Sequence, residues 1–462
     1  MFNLNDMMAE RPLRFGEAST TGWDYFDYAP GQPNLFLLSR FKQLLVKEYG
    51  IEKGFEIYRQ TVVRHRDASL KLRRLESHHD FSKAHATCCR EFFSAGRPYA
   101  IMPPRVIGEG NHRPLSGLTR SFYISCLKNA LVRGRSSIVV TGDVALADFQ
   151  GEELSRIDDE IEFDAAVFHR NGDQAWTIDL QKPAVEFDEA FSLLGCRTDF
   201  FGDWLGDMLQ RYVAATDDER LATMTILIDA HMPKTHRQSL EMMRVGGARI
   251  VEIEAFQSAV VRRLWWACGI GYMPFHQVLN DRFKWDDVAC HPRDSLLIGQ
   301  EMQRRANLVE PPTSGPTRVF LARKDFRHRK MVNAEDIKTI ASSFGFTIVY
   351  AEELDFADQA RLLRRARYIV APEGSSLFLT IFLGDGAKLC ILSHRQTEGA
   401  VLYNGDGDES GSGLTIITGP EAGERHGRSQ DMDYSIDVEG FRRFLAEWLG
   451  SNPQDVDSSR LP

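Results

Sequence analysis

The spacing of apolar residues changes character twice along the chain. Up to about residue 95 it is helical: Phe36, Leu37, Phe41, Leu44, Leu45 and Tyr49 fall on one stripe, and Phe55, Tyr58, Val62 and Val63 on the next. Few strand signals interrupt residues 1–95, which predicts a helical N-terminal extension. From 96 onward short β-branched runs appear at 137–140, 161–168, 175–178, 225–228 and 249–253, with helical periodicity over 186–216 and 235–246. Strands alternating with helices predict a parallel sheet under covering helices, so 96–304 reads as a Rossmann-like domain.

The run Glu310-Pro311-Pro312-Thr313-Ser314-Gly315-Pro316 marks a linker, placed at 305–316. After it the alternation sharpens. Strands are expected at 319–321, 346–350, 368–370, 389–392 and 415–417, and helices at 333–344 (capped by Asn333), 355–366, 375–383 and 438–449. Repeated βα units over 317–450 predict a second Rossmann-like domain, followed by a flexible tail at 451–462. The expected fold class is α/β, two Rossmann-like domains behind the helical extension.

A length of 462 residues suits two or three domains of ~100–200 residues each. With 43% hydrophobic and 26% charged residues the chain can bury sizeable cores, which excludes a mainly disordered, collagen-like or small disulfide-scaffold protein. A net charge of −9 argues against nucleic acid as a partner. Between 40 and 90, however, twelve Lys/Arg stand against six Asp/Glu. Two readings of that excess stand: a solvated helix face, or a peripheral contact with an anionic membrane surface or polyanionic acceptor. The seven cysteines (88, 89, 126, 196, 268, 290 and 390) include no CxxC pair and read as free thiols of a reducing compartment. No signal-peptide pattern opens the chain and no run of 18 apolar residues occurs, so the expected location is cytoplasmic, with a peripheral place at the inner membrane face as the variant.

The candidate chemistry lies in 318–382, because ligands of open α/β sheets bind beyond the carboxyl ends of the strands. The first strand after the linker ends in Arg323-Lys324-Asp325-Phe326-Arg327-His328-Arg329-Lys330, five cations in eight positions. That charge suits a diphosphate, although a basic solvent loop would look the same. The third strand ends in Pro372-Glu373-Gly374-Ser375-Ser376. Gly374 would let the backbone turn and approach a ligand, Ser375 would cap the next helix, and the NH groups there would face an anion. Glu373 at the turn could accept hydrogen bonds from ribose hydroxyls. Metal signals are poor. Asp406-Gly407-Asp408 and Asp431-Met432-Asp433 have DxD spacing, but a calcium loop read from Asn404 puts Glu409 at position 6 and Thr415 at position 12. No cofactor and no metal are expected.

Five landmarks occur in order: Arg323-Lys324; Arg329-Lys330-Met331-Val332-Asn333-Ala334-Glu335; Gly345-Phe346; Leu354 to Gln359; and Ile369 to Leu377. Upstream, Thr198 to Arg211 contains Trp204, Leu205, Leu209 and Arg211 at matching places. Together these resemble the signature of glycosyltransferase family 61. The sequence departs from that pattern at Asp203, where His is usual, and at Gln210, where Pro is usual. It also has Glu373 in place of His, and Phe378-Leu379 where Thr-Asn is common. The resemblance implies a GT-B fold and inverting transfer of a sugar from a nucleotide-sugar donor to a glycan or lipid-linked acceptor, as in bacterial surface-polysaccharide synthesis. It casts Arg323, Lys324, Arg329, Glu373, Gly374, Ser375 and Ser376 as donor-binding. Inversion needs a general base for the acceptor hydroxyl. Asp203 and Asp207, four residues apart, are candidates, and two close carboxylates raise one another's affinity for a proton. His231, after the 225–228 strand, is a third. A catalytically lapsed, transferase-like scaffold is the alternative, motivated by the missing His at 203. A nicotinamide enzyme is disfavoured because no G-x-G-x-x-G follows a predicted strand.

Overall fold

The alternation after residue 317 folds into a six-stranded, wholly parallel sheet in the computed structural model. The structure describes residues 27–29, 32–33, 35–63, 66–101, 104–109, 115–150, 158–180, 185–216, 221, 223–272, 291–324, 329–394, 413–423 and 432–450. The strand order is Thr347–Tyr350, Arg318–Ala322, Tyr368–Pro372, Lys388–His394, Leu414–Gly419, Arg105–Ile107. Both faces of this sheet are covered, which is why its interior strands read as nearly unbroken apolar runs. Successive side chains point to opposite faces. Phe320, Val370 and Leu392 therefore pack under helices Ala334–Ser343 and Val438–Trp448, while Val319, Leu321, Ile369 and Ile391 pack under Phe356–Arg365 and Ser375–Phe382. The sixth strand, Arg105–Ile107, comes from far upstream, in the stretch assigned by sequence to the other domain.

The N-terminal half is not a second doubly wound sheet. Its mixed sheet runs Val167–Asn171, Gln174–Leu180, Ala68–Ser77, Val144–Ala147, Val139–Thr141, Phe122–Arg133, Ser258–Ala267, Val185–Ser192, Ile226–Asp229, Ile250–Ile253, with Cys88–Phe93 also pairing with Phe122–Arg133. The last four strands of that path form a parallel block, and Val144–Ala147 runs parallel to Ala68–Ser77; the other pairings are antiparallel. Two local expectations are corrected. Residues 161–168 end the helix Asp158–Phe163 and then begin a strand. Residues 186–192 are a strand, whose first half is largely exposed and so tolerates the acids that mimicked a helix face.

The helical extension is also corrected. The helix Leu35–Tyr58 is broken at Gly50, whose φ of +75° lies in the left-handed region. Beyond it, Ala68–Ser77 and Cys88–Phe93 join the N-terminal sheet. The basic run at 71–74 lies on a strand, and the partner of Lys71 and Arg73 is distant in sequence. Arg73 is buried against the carboxylate of Asp179, with Nη1 to Oδ1 at 2.8 Å and Nη2 to Oδ2 at 2.5 Å, and Arg133 shares that carboxylate. Lys71 lies 3.6 Å from Asp179, and Arg74 pairs with Glu76. Lys42 is buried outright, its ammonium donating to the carbonyls of Glu162, Asp164 and Val167 at 2.6, 2.9 and 2.5 Å. Two of the cations counted toward a membrane contact, Lys42 and Arg73, are thus buried against partners, while Lys71 and Arg74 pair with carboxylates at the surface. Among the described residues no helix is long and apolar enough to cross a membrane.

One apolar interior joins the two halves. Trp204, Leu205, Tyr212 and Leu240 from the N-terminal half form a continuous cluster with Phe356, Leu363, Leu377, Leu379 and Phe382. At the seam the Phe378 ring lies between two glycines. A Cβ on Gly202 would sit 2.8 Å from Phe378 Cε2, and one on Gly206 would run into Cε1. Only hydrogen at both positions lets the ring approach this closely.

Candidate functional site

Parallel pairing assembles the site. Arg318–Ala322, Tyr368–Pro372 and Lys388–His394 are consecutive neighbours, with Phe320 opposite Val370 and Pro372 opposite Leu392. Their carboxyl ends therefore emerge side by side at ~4.8 Å spacing, and whatever follows each strand is brought together. Arg323 follows the first, Glu373 and Gly374 the second, and Ser393 and His394 end the third.

The contacts are specific. Arg323 Nη1 donates to the Glu373 carbonyl at 2.7 Å. The guanidinium lies across Gly374, where an added Cβ would be 3.0 Å from Arg323 Cζ. Gly374 has φ 163°, ordinary extended backbone, so the glycine serves close approach and not the sharp turn expected of it. The Ser393 hydroxyl donates to Glu373 Oε2 at 2.6 Å, and Arg329 Nη1 stands 3.8 Å from Oε1. Burial pushes the Arg323 guanidinium down to about 10, and the like charge of Arg329 works in the same direction. Arg323 stays cationic at neutral pH, and a bound anion would relieve its repulsion with Arg329.

The other donor-side candidates divide. Ser375 and Ser376 open the short 3₁₀ helix Ser375–Phe382, and Ser375 is exposed. The cap position is Gly374 and carries no side-chain cap bond, so Ser375 is not the N-cap. Lys324 turns aside: its backbone NH donates to Glu352 at 2.7 Å, its ammonium pairs with Glu353, and it lies over the Tyr350 ring. Asn333 does not cap its helix with its side chain. Its amide instead pairs both ways with the backbone of Ile436, at 2.8 and 3.1 Å, which ties down the segment carrying Tyr434.

The base candidates also separate. Gly202 would place a Cβ 3.4 Å from Ser375 Oγ, so the residue before Asp203 packs against the segment that follows Gly374. Its side chain is 31% exposed and accepts from Arg197 Nη2 at 2.5 Å. Burial pushes its carboxyl up to about 6; Arg197 opposes the shift, and the carboxylates of Asp207 and Asp199 add to it. Asp207 is committed elsewhere. Arg211 grips both of its oxygens, Nε to Oδ1 at 2.9 Å, and the NH of Ile270 donates to Oδ1 at 3.3 Å. Arg211 is held in turn by Asp148, 3.4 Å away. His231 has a left-handed φ of +59°, is about half exposed and pairs with Glu254 at 3.0 Å.

Residues 201–390 match the family model described as Glycosyltransferase 61. The matched segment belongs to glycosyltransferase family 61. It starts where the Phe378 clasp begins and runs through both the 201–215 helical region and the first four strands of the parallel sheet, so the family 61 segment spans the seam. The match implies a sugar donor and an acceptor as substrates in general terms. No curated protein matches the chain.

Four residues at this place escaped the sequence reading. Ser393 and His394 end a strand that was expected to stop at 392, so the strand-tip rule would have found them had the strand been drawn to its full length. Tyr434 donates to the Leu392 carbonyl at 2.9 Å and comes from a distant segment with no strand-tip signal. Arg197 lies one residue before the stretch that carries the resemblance. Of the DxD aspartates, 406, 408 and 431 lie outside the described residues, and Asp433 accepts from the NH of Lys330 at 2.8 Å. Among the described residues no group of three or more His, Cys, Asp or Glu is arranged to hold a metal.

Proposed function

We propose that this family 61 protein transfers a sugar from a nucleotide-sugar donor, with inversion, to a glycan or lipid-linked acceptor in surface-polysaccharide synthesis. Arg323 and Arg329 meet the donor diphosphate, helped by the backbone at Gly374, Ser375 and Ser376, and Glu373, oriented by Ser393, takes the ribose. Asp203 removes the proton from the acceptor hydroxyl as its oxygen attacks the anomeric carbon, and the nucleoside diphosphate leaves toward the two guanidiniums. The observation that carries this reading is the pairing of Arg323 with the Glu373–Gly374 turn, which leads into Ser375, and Ser375 lies against Gly202, the chain neighbour of Asp203.

A carboxyl held near 6 is largely ionised at neutral pH yet more basic than an ordinary aspartate, which suits a general base. Asp207 supports the geometry by fixing Arg211 one turn away, and His231 is assigned no step. Thermal-shift screening against uridine, guanosine, cytidine and thymidine nucleotide sugars tests the reading, followed by release of nucleotide from any donor that binds. Stabilisation by a nucleotide sugar that Arg323→Ala abolishes is the expected result. Donor binding without turnover in the presence of candidate acceptors would favour the lapsed, scaffold reading.

A further inference from the structure

The loop between strand Val185–Ser192 and the helical turn at Phe201–Asp203 is clamped from below by buried polar groups. Asp229, completely buried, accepts from the NH of Gly195 at 3.0 Å and from the Thr198 hydroxyl at 2.6 Å. Arg135, also buried, reaches Thr198 Oγ1 at 3.2 Å and Asp199 at 2.7 Å. The NH of Cys196 donates to Ser137 Oγ at 3.2 Å. The backbone on both sides of Arg197 is therefore fixed while its side chain, 20% exposed, reaches over the Phe200 ring to Asp203. Such a base makes a directed guanidinium cheap in entropy, because the chain that carries it is already ordered.

The two neighbouring carboxylates are held in different ways. Arg211 grips Asp207 through both oxygens with a backbone NH added, whereas Arg197 meets Asp203 through Oδ2. Both oxygens of Asp207 are thus engaged, whereas a carboxylate held through one oxygen is oriented and keeps the other to meet an acceptor hydroxyl.

We infer that Arg197 is a positioning residue for Asp203, aiming its carboxylate at the seam and restraining how tightly it holds a proton. This rests on the proposed role of Asp203 as base. The charged groups facing Asp203 are Arg197 and Asp199 on its own loop and Asp207 on the next turn, with Arg211 behind Asp207. His236 lies beyond the Phe201 ring, and the short helix Ser375–Phe382 across the seam brings the uncharged Ser375 and Phe378 against Gly202. Arg197 is the nearest cation in that set.

The test is the titration of the Asp203 carboxyl, followed by carbon-13 NMR on aspartate-labelled protein and assigned by loss of the signal in Asp203→Asn. Arg197→Gln is expected to raise the midpoint by roughly one pH unit or more, the low end of the effect of a nearby opposite charge. Arg197→Lys is expected to restore most of the shift, and a purely structural role would not respond to the charge alone. In turnover with a donor that binds, the acidic limb of the kcat profile should move with the midpoint while donor KM stays constant. An unmoved midpoint in a folded Arg197→Gln protein, with Asp203→Asn inactive, overturns this inference alone. Full turnover by Asp203→Asn instead defeats the reading of Asp203 as base.

Discussion

Arg323 lies so close over Gly374 that a methyl group there would meet its guanidinium carbon at 3.0 Å. Arg323→Ala should weaken binding of a nucleoside diphosphate by roughly 1.5–3 kcal/mol, the range for hydrogen bonds to charged groups. Gly374→Ala should act in the same direction by displacing the guanidinium, with little change in Tm because its extended φ suits any residue. Calorimetric titration of the matching nucleoside diphosphate measures both; equal affinity in the two variants and the parent removes this pair from the site.

The Phe378 clasp is a packing constraint on the same seam. Gly206→Ala should destabilise the fold by ~1–3 kcal/mol through overpacking, as inserted methylenes do in filled cores. In a double-mutant cycle, Phe378→Leu should recover part of that loss, since it removes the ring edge that the new methyl meets. Denaturant unfolding of the four proteins reads the coupling, and additive effects would place the strain elsewhere.

Asp203 and Asp207 should part company under mutation. Asp203→Asn is expected to leave donor binding intact and cut turnover by 10²–10⁴-fold, the usual worth of general base catalysis. Asp207→Asn is expected to cost stability, because it weakens the grip of Arg211 and leaves that cation facing Asp148 alone. Tm and turnover measured on both variants decide it. Loss of turnover in Asp207→Asn at unchanged Tm would reverse the assignment.

Stability should also depend on pH in a defined window. Burial holds the Asp229 carboxyl up at about 6, as it does that of Asp203, while an unfolded aspartate titrates near ~4. Between those values the folded chain binds more protons than the unfolded one, so these groups favour folding most at low pH. Their contribution is lost as pH rises through about 6. Asp229→Asn should flatten the pH dependence of Tm between 4 and 6. It should also lower Tm throughout, because an amide nitrogen would face one of the donors that Asp229 now accepts. A slope unchanged in that variant assigns the effect to other groups.

The interior of the parallel sheet was legible because Arg318–Ala322, Tyr368–Pro372, Lys388–His394 and Leu414–Gly419 are short apolar runs buried on both faces, whereas the exposed edge strand Arg105–Ile107 gave no such run. Arg323, Glu373 and Gly374 were legible because they stand just past such runs. Less could be read before residue 304. The strand Val185–Ser192 carries acids on its exposed half, and Ala68–Ser77 carries cations whose counter-charge, Asp179, lies over a hundred residues away. Local period cannot report a partner that distant.

Taken by itself, the chain determined where the main strands of its C-terminal sheet lie, to within a few residues at their ends, and the order of motifs that resembles glycosyltransferase family 61, since apolar period and residue order are local properties. Tertiary structure alone decided that Asp203 and not Asp207 keeps a carboxylate held by a single contact. It also decided that Arg197, Ser393 and Tyr434 join the site, and that two glycines clasp Phe378 across the seam. The reason is physical: hydrogen bonds and burial depend on which elements pack together, and that packing sums the whole molecule.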